Sequence, residues 1–192
     1  AIWALFAAQP LDGMSLVCAM PFATTLNAKG IFMTKKTATR DENAPELSED
    51  SAKLKVMLAD TFVLYMKTYA VHWNYTGAKF FSVHKLTEEH YKDMAEAIDE
   101  IAERIRAKGE EAPISLMDIL NSSDLNEIKN RGVSSDQALK DLIASHGLLA
   151  KKALETAESL EEHGDLYSTD MMVKRVGAHE KAAWMLKSFM HT

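Results

Sequence analysis

Two pairs of side chains that commonly bind metal ions stand at helical spacing in this 192-residue sequence. His84 and Glu88 are four residues apart, and so are Asp99 and Glu103, so each pair occupies one face of a helix. The eleven residues from Glu88 to Asp99 correspond to about three helical turns, which places both pairs on one broad stripe. The pairs are nevertheless about 16 Å apart along the axis, too far for one ion to contact both.

A two-fold axis would bring the two pairs together. His84 and Glu103 are equidistant from the point between residues 93 and 94, and the same holds for Glu88 and Asp99. If the helix packs antiparallel on a copy of itself about this point, the His84–Glu88 pair of one chain faces the acidic pair of the other. The spacing therefore predicts two identical sites at one symmetric interface, each built from two chains.

His72 is the fifth candidate ligand. His72 and His84 are equidistant from residue 78, beside a predicted turn, so they can face each other across a helical hairpin. Taken singly, each candidate would more often be a packed histidine or a surface charge, but their joint spacing favours a metal site. Two imidazoles with three carboxylates suit Fe(II), with Zn(II) or Mn(II) as competitors. The predicted catalytic and metal-binding residues are His72, His84, Glu88, Asp99 and Glu103.

The amino-acid composition excludes some kinds of metal site and disfavours nucleic acid as the main partner. The single cysteine, Cys18, cannot form a thiolate cage or an internal disulfide. None of the seven histidines has a glutamate three residues before it, so the Glu-x-x-His motif of di-iron helical bundles is missing. A formal net charge of −6, from 22 Lys+Arg and 28 Asp+Glu, disfavours a protein whose whole surface attracts nucleic acid.

The elements that position these residues are predicted to be α-helices. Apolar residues recur at intervals of three and four, and a serine precedes three of the segments as an N-cap. We predict an all-α, ferritin-like four-helix bundle whose second and third long helices are joined by a crossover with a short extra helix. The predicted segments run from Ser48 to the turn at Gly77, over about 80–108, 115–120 and 134–163, and from about Ser168 to the chain end.

The first 32 residues differ from the rest. They contain only two charged residues, Asp12 and Lys29, and their longest apolar run is far too short to span a bilayer. Met33-Thr-Lys-Lys reads as an ordinary start, so we expect an upstream extension outside the functional domain; the alternative is a removable leader. The predicted organisation is an extension over 1–32, a mobile N-terminal arm over 33–47 and the four-helix bundle over 48–192.

Two motifs make the sequence resemble the Dps family, the DNA-binding proteins from starved cells, also called miniferritins. His-Trp-Asn-x-x-Gly-x-x-Phe-x-x-x-His spans residues 72–84, and Asp-x-x-x-Glu-Arg spans 99–104. The helix lengths and the short helix in the crossover also resemble the family, so the resemblance extends over about residues 47–190. Position 88 is often Asp in the family, and Trp73 resembles the tryptophan that the family has beside its metal site.

The resemblance implies an iron-storage ferroxidase that works in the cytoplasm under oxidative stress. It implies a hollow homo-dodecamer with two-fold and three-fold interfaces, in which each two-fold interface holds ferroxidase centres for two Fe(II) ions. Hydrogen peroxide, or O2 more slowly, would oxidise iron, and storage of the ferric mineral would protect DNA from oxidative damage. By the same resemblance, one chain contributes His72, His84 and Glu88 and its partner contributes Asp99 and Glu103, with Zn(II) as a competitor.

Two other functions remain open. Lys35, Lys36 and Arg40 in the N-terminal arm would favour a nucleoid-binding structural protein with little ferroxidase activity, since twelve copies could act together on phosphates. Asp41 and Glu42 follow closely, however, and the net charge of −6 repels DNA, so we expect DNA binding to be weak or absent. The same ligands could also store zinc without turnover.

An acidic cluster surrounds the turn before the last helix. The resemblance places three-fold pores at this turn, so these acids would form an entry route for cations. The alternative is a solvated acidic loop without a role in transport. The residues of this cluster are Glu161, Glu162, Asp165 and Asp170.

Overall fold

The computed structural model describes residues 48–128 and 134–190. The predicted extension over 1–32 and the predicted arm over 33–47, with its basic residues, lie outside the described residues. Within the described part every regular element is a helix. None of these helices is both long enough and apolar enough to cross a membrane.

Four long helices and one short helix follow one another along the chain, as the sequence predicts. The short helix, α3, lies in the long connection between the second and third long helices. The all-α bundle with a helix in its crossover is therefore confirmed. The bounds are α1 Glu49–Asn74, α2 Phe80–Ala107, α3 Leu116–Ser122, α4 Ser135–Glu162 and α5 Leu166–Lys187.

Local signals set most of these bounds. The hydroxyls of Ser48, Ser115 and Ser134 each accept a hydrogen bond from the backbone N–H three residues later, which satisfies a free donor in the first turn. Gly109 and Gly164 follow α2 and α4 with φ of +86° and +76°, a conformation that favours glycine at helix ends. The starts of α1, α3 and α4 and the ends of α2 and α4 are therefore set by residues next to them in sequence.

The start of α5 differs from the prediction by two residues. Asp165 is its N-cap, because a carboxylate oxygen accepts the backbone N–H of Ser168 at 3.1 Å. The helix therefore begins at Leu166 rather than near Ser168. Ser168 is buried in the first turn of the helix.

The interior of the bundle is aliphatic and methionine-rich. Large side chains from all four long helices are almost completely excluded from solvent, and each stabilises the fold by roughly 1.5–3 kcal/mol relative to an exposed side chain. Two clusters share this interior, one toward each end of the α1–α2 hairpin. Residues at most 1% exposed include Met57, Leu64, Met94, Ile101, Leu149 and Met172.

A buried aspartate holds the crossover against the bundle. Asp60 of α1 is fully buried and accepts hydrogen bonds from the Ser123 hydroxyl at 2.7 Å and from the N–H groups of Asp124 and Leu125 at 2.7 and 3.1 Å. Lys152 of α4 pairs with its other oxygen at 2.6 Å. These bonds satisfy a buried charge and fix the chain after α3 to both α1 and α4.

Candidate metal centre

The two predicted histidine ligands meet where α1 turns into α2. His72 lies in the last turn of α1, and His84 lies near the start of α2. Gly77 allows the short connection between them, because its φ of +114° lies in the region that other residues rarely adopt. The two imidazole rings are stacked, with centroids 3.7 Å apart and planes 18° from parallel. The sequence prediction that these two residues face each other is thus confirmed.

Each ring is oriented by the backbone of the opposite helix. The Nδ1 atom of His72 lies 2.9 Å from the carbonyl oxygen of His84, and the Nδ1 atom of His84 lies 3.0 Å from the carbonyl oxygen of His72. Since a carbonyl oxygen can only accept, both Nδ1 atoms must donate a proton. In the neutral rings both Nε2 atoms then have free lone pairs, which is the arrangement that metal-binding histidines use.

Thr87 supports the orientation of His72. This buried residue donates its hydroxyl proton to the carbonyl oxygen of Val83 at 2.7 Å, and its oxygen lies 3.2 Å from Nδ1 of His72. The hydroxyl oxygen therefore accepts a second hydrogen bond from the same N–H. Because one Nδ1–H faces two acceptors, the tautomer with a free Nε2 is favoured.

Glu88 follows His84 by one helical turn and is already paired. Lys92 donates to Oε1 at 2.6 Å, and Lys85 donates to Oε2 at 3.0 Å. Hydrogen bonds from Lys92 and Lys85, together with their charges, lower the pKa of Glu88 to about 2. The carboxylate is therefore ionised at neutral pH, but a metal ion must compete with both lysines for its oxygens.

Asp99 and Glu103 are exposed on α2 and lie far from the histidines of the same chain. Asp99 is about 22 Å along the helix axis from His84. Within residues 48–128 and 134–190 of one chain, no group of three or more His, Cys, Asp or Glu side chains gathers around a common metal position. The structure thus unites His72 and His84 but does not bring the two acids to them, and the two-chain site remains a prediction.

Aromatic rings surround the histidine pair on one side. The ring of Tyr91 meets His72 edge-on at 5.2 Å and stacks on Tyr69 at 4.0 Å. Trp73 packs against Tyr69 at 4.8 Å and is 62% exposed. The tryptophan that the family resemblance suggests beside the site is therefore at the surface, and it packs on Tyr69, the ring that stacks on Tyr91.

Comparison with known proteins identifies the family. Residues 51–192 match the family model described as a ferritin-like domain. Over 137 residues the chain is 31% identical to the DNA protection during starvation protein (Dps) of Helicobacter pylori, an alignment that covers 71% of this chain and 95% of that protein. The chain belongs to the Dps family of ferritin-like proteins.

Solved Dps structures share the fold. Dps from Thermosynechococcus elongatus superposes with a TM-score of 0.72 at 27% identity, covering 74% of this chain and 90% of that one. Dps from Listeria innocua soaked with zinc gives a TM-score of 0.70 at 27% identity, with 74% and 96% covered. The resemblance and the fold class inferred from the sequence are both confirmed.

One of the acids predicted for the cation entry has a structural role in this Dps-family chain. Asp165 accepts from Arg104 at 2.6 Å and from Lys108 at 2.7 Å, and its side chain is 9% exposed. Although burial opposes ionisation, the bonds from Lys108, Ser168 and Arg104 hold the pKa of Asp165 well below its usual value. Its carboxylate therefore caps α5 and joins it to α2, so it is not available to passing cations.

The other three acids of that cluster are exposed. Asp170 pairs with Lys174 one turn later on α5 at 2.9 Å. Glu161 and Glu162 lie at the exposed end of α4. Their part in an entry route remains a prediction.

Three contributors to the site were missed by the sequence analysis. Lys85 and Lys92 stand three residues before and four residues after Glu88, a spacing that predicts ion pairs on a helix. Thr87 is three residues after His84 and so lies on the same face. Helical spacing could have revealed all three, whereas the backbone carbonyls that orient the histidines have no sequence signal.

Proposed function

We propose that this Dps-family chain oxidises Fe(II) with hydrogen peroxide, or more slowly with O2, and stores the ferric product inside a homo-dodecamer in the cytoplasm. Iron is the substrate and the stored cargo. Each oxidation site would lie at a two-fold interface, with two Fe(II) ions between His72, His84 and Glu88 of one subunit and the acids of its partner. The predicted partner residues are Asp99 and Glu103.

The observation that best supports the proposal is the histidine pair. Both Nδ1 atoms donate to backbone carbonyls, so both Nε2 lone pairs are free for a metal ion. An ionised carboxylate, Glu88, follows one turn later. Imidazole nitrogens with carboxylate oxygens suit Fe(II), and added carboxylates stabilise the harder Fe(III) product.

The reaction balances as a two-electron step. Two Fe(II) ions each lose one electron, and one hydrogen peroxide molecule with two protons becomes two water molecules. Because the peroxide accepts both electrons at one site, no hydroxyl radical is released. The iron chemistry would therefore also protect DNA without the chain needing to bind it.

The net charge of the chain favours binding of cations over binding of nucleic acid. Each chain has a formal net charge of −6, so an assembly of many copies repels phosphates and attracts Fe(II). DNA binding through the arm over 33–47 is accordingly expected to be weak or absent. Zinc is the expected competitor at the same ligands.

Mixed assemblies test both the activity and the two-chain site. His72→Ala and Asp99→Ala homo-oligomers are each expected to lose the rise in ferric absorbance after Fe(II) and peroxide are mixed. When the two variants are refolded together in equal amounts, half of the two-fold pairs are mixed and one of their two sites is intact. Co-assembly should then restore about a quarter of the unaltered activity.

The control uses two variants from the same side of the site. Co-assembly of His72→Ala with His84→Ala leaves every site without one histidine, so no activity should return. Unchanged rates in the single variants would contradict the site assignment. Loss of activity without restoration by the His72→Ala and Asp99→Ala mixture would contradict the two-chain arrangement.

A further inference from the structure

A second pair of histidines lies inside the bundle, away from the α1–α2 turn. His146 of α4 and His179 of α5 are each 1% exposed. Their Nδ1 atoms are 3.0 Å apart, and their ring centroids are 5.3 Å apart. The two nitrogens therefore face each other directly in the interior.

The surroundings leave polar atoms without partners. The Nε2 atoms of both histidines are buried and have no hydrogen-bond partner among the described residues, and the same is true of Nδ1 of His90. His90, on α2, has its ring centroid 5.5 Å from that of His146. All three histidines line a cavity of about 370 Å³, which is large enough for water molecules.

Both facing rings are neutral at physiological pH. Burial and the charge of Arg175 lower the pKa of His179 to about 3. Burial, with His179, His90 and Arg175 nearby, also lowers the pKa of His146 well below its usual value. The Arg175 charge is balanced by Asp93, whose carboxylate lies 2.7 Å from the guanidinium. Neutral imidazoles are the form that binds metal ions.

A hydrogen bond between the two Nδ1 atoms accounts for their contact but not for the third histidine. Within the described part of the chain, the Nε2 atoms stay unpaired whether a proton or a metal ion lies between the two Nδ1 atoms, whereas Nδ1 of His90 is a buried polar atom that such a hydrogen bond leaves without a partner. Two nitrogens bound to one tetrahedral zinc ion, with Zn–N bonds of about 2.0–2.1 Å, lie about 3.3 Å apart. The observed separation of 3.0 Å is close to that value.

We propose that His146 and His179 form a second metal site, which binds a divalent transition ion of the zinc class through their Nδ1 atoms. Water in the cavity completes the coordination, since the described residues do not gather three protein ligands around one point. His90, whose ring centroid lies 5.5 Å from that of His146 on the same cavity, is the candidate for a third protein ligand. The site does not depend on the proposed iron oxidation, because it shares no residue with the centre at His72 and His84.

Cobalt titration of a variant without the first pair provides the test. Three proteins are compared: the unaltered chain, the double variant His72→Ala/His84→Ala, and a quadruple variant that also has His146→Gln and His179→Gln. Co(II) serves as the probe, because its visible absorption reports nitrogen ligands. We expect one Co(II) per chain in the double variant and a Kd raised by about 100-fold or more when the interior pair is also replaced.

A surface histidine supplies the matched control. His163 is exposed at the end of α4, so His163→Gln in the double-variant background should leave the Co(II) affinity unchanged. Equal Co(II) binding with and without the interior pair would overturn the proposal. So would equal losses from His163→Gln and from the interior substitutions.

Crystals of the unaltered chain soaked in zinc test the proposal without relying on the folding of a variant. An anomalous difference peak about 2.1 Å from Nδ1 of both His146 and His179 would support the site. The absence of a peak between these atoms would overturn it.

Discussion

The two histidine pairs of this bundle differ in what their Nδ1 atoms contact. In the pair at the α1–α2 turn, each Nδ1 donates to a backbone carbonyl of the facing helix. In the interior pair, the two Nδ1 atoms face each other instead. The first pair is stacked at 3.7 Å and has an acidic neighbour, whereas the second lies among uncharged rings beside a compensated arginine.

This difference has chemical consequences. Backbone carbonyls fix the tautomer of His72 and His84, so that Nε2 of each neutral ring keeps a free lone pair. His146 and His179 have no such anchor among the described residues, so burial and the charge of Arg175 decide whether their rings bind a proton.

The largest expected effect is on the stability of the protein in acid, which the interior histidine pair lowers. The pKa of His179 is lowered to about 3, so the unfolded chain takes up its proton below about pH 6.5 while the folded chain does not. The contribution of the neutral His179 ring to the unfolding free energy is therefore complete above that pH and is lost as the pH falls toward 3. His146→Gln/His179→Gln should reduce the loss of unfolding free energy between pH 7 and pH 4 by on the order of 3 kcal/mol.

Urea denaturation of metal-free protein at several pH values measures this effect. His90, Arg175 and Asp93 face the pair and are kept unchanged, so the difference between the two curves reports the substituted rings. His163→Gln serves as an exposed control and should not reproduce the change. Parallel curves for the unaltered chain and the double variant would contradict the prediction.

A smaller effect, on Fe(II) affinity, is expected when the hydroxyl that supports His72 of the first pair is removed. Thr87→Val keeps the side-chain shape but removes the acceptor beside Nδ1 of His72, and loss of such a partner weakens metal binding by about tenfold. Fe(II) affinity at the first pair should fall by this factor, and Co(II) binding at the interior pair should not change. Calorimetric titration measures both.

Thr68→Val is the matched control for Thr87→Val. Thr68 is also buried and also donates to a carbonyl one turn earlier, at 2.8 Å, but its hydroxyl bonds to no histidine within residues 48–128 and 134–190. Equal losses of Fe(II) affinity in the two variants would mean that Thr87 acts only through packing.

The smallest effect is expected from the lysines that pair with Glu88. Lys85→Ala/Lys92→Ala frees both carboxylate oxygens, and exposed pairs of this kind contribute little, so Fe(II) affinity should rise by about threefold at low salt. The gain should shrink at high salt, because the lysine charges are then screened. Weaker Fe(II) binding would show that the lysines hold Glu88 in place for the metal.

Lys174→Ala provides the comparison for the two lysines. Lys174 forms an exposed pair with Asp170 on α5, so its removal should change neither metal site. A similar threefold rise in this variant would indicate a general effect of net charge rather than release of Glu88.

Much of the fold was predictable because its signals are local. The serine caps, the glycines after α2 and α4 and the intervals of three and four in apolar residues each act within one or two turns. The start of α5 was placed two residues late although its signal is also local, because Asp165 caps the helix by accepting the N–H of Ser168. The bonds of Asp165 to Arg104 and Lys108 have no sequence signal, since these residues are more than fifty positions away and are adjacent only in the folded bundle.

The sequence by itself determined the helices, the family and the pairing of His72 with His84, because residues at regular spacing on two helices joined by a short turn must meet. Only the tertiary structure decided which nitrogen of each ring is free, since that depends on backbone carbonyls of the opposite helix. It alone also placed His146 beside His179. These residues belong to separate helices, and no spacing rule relates them until the helices pack.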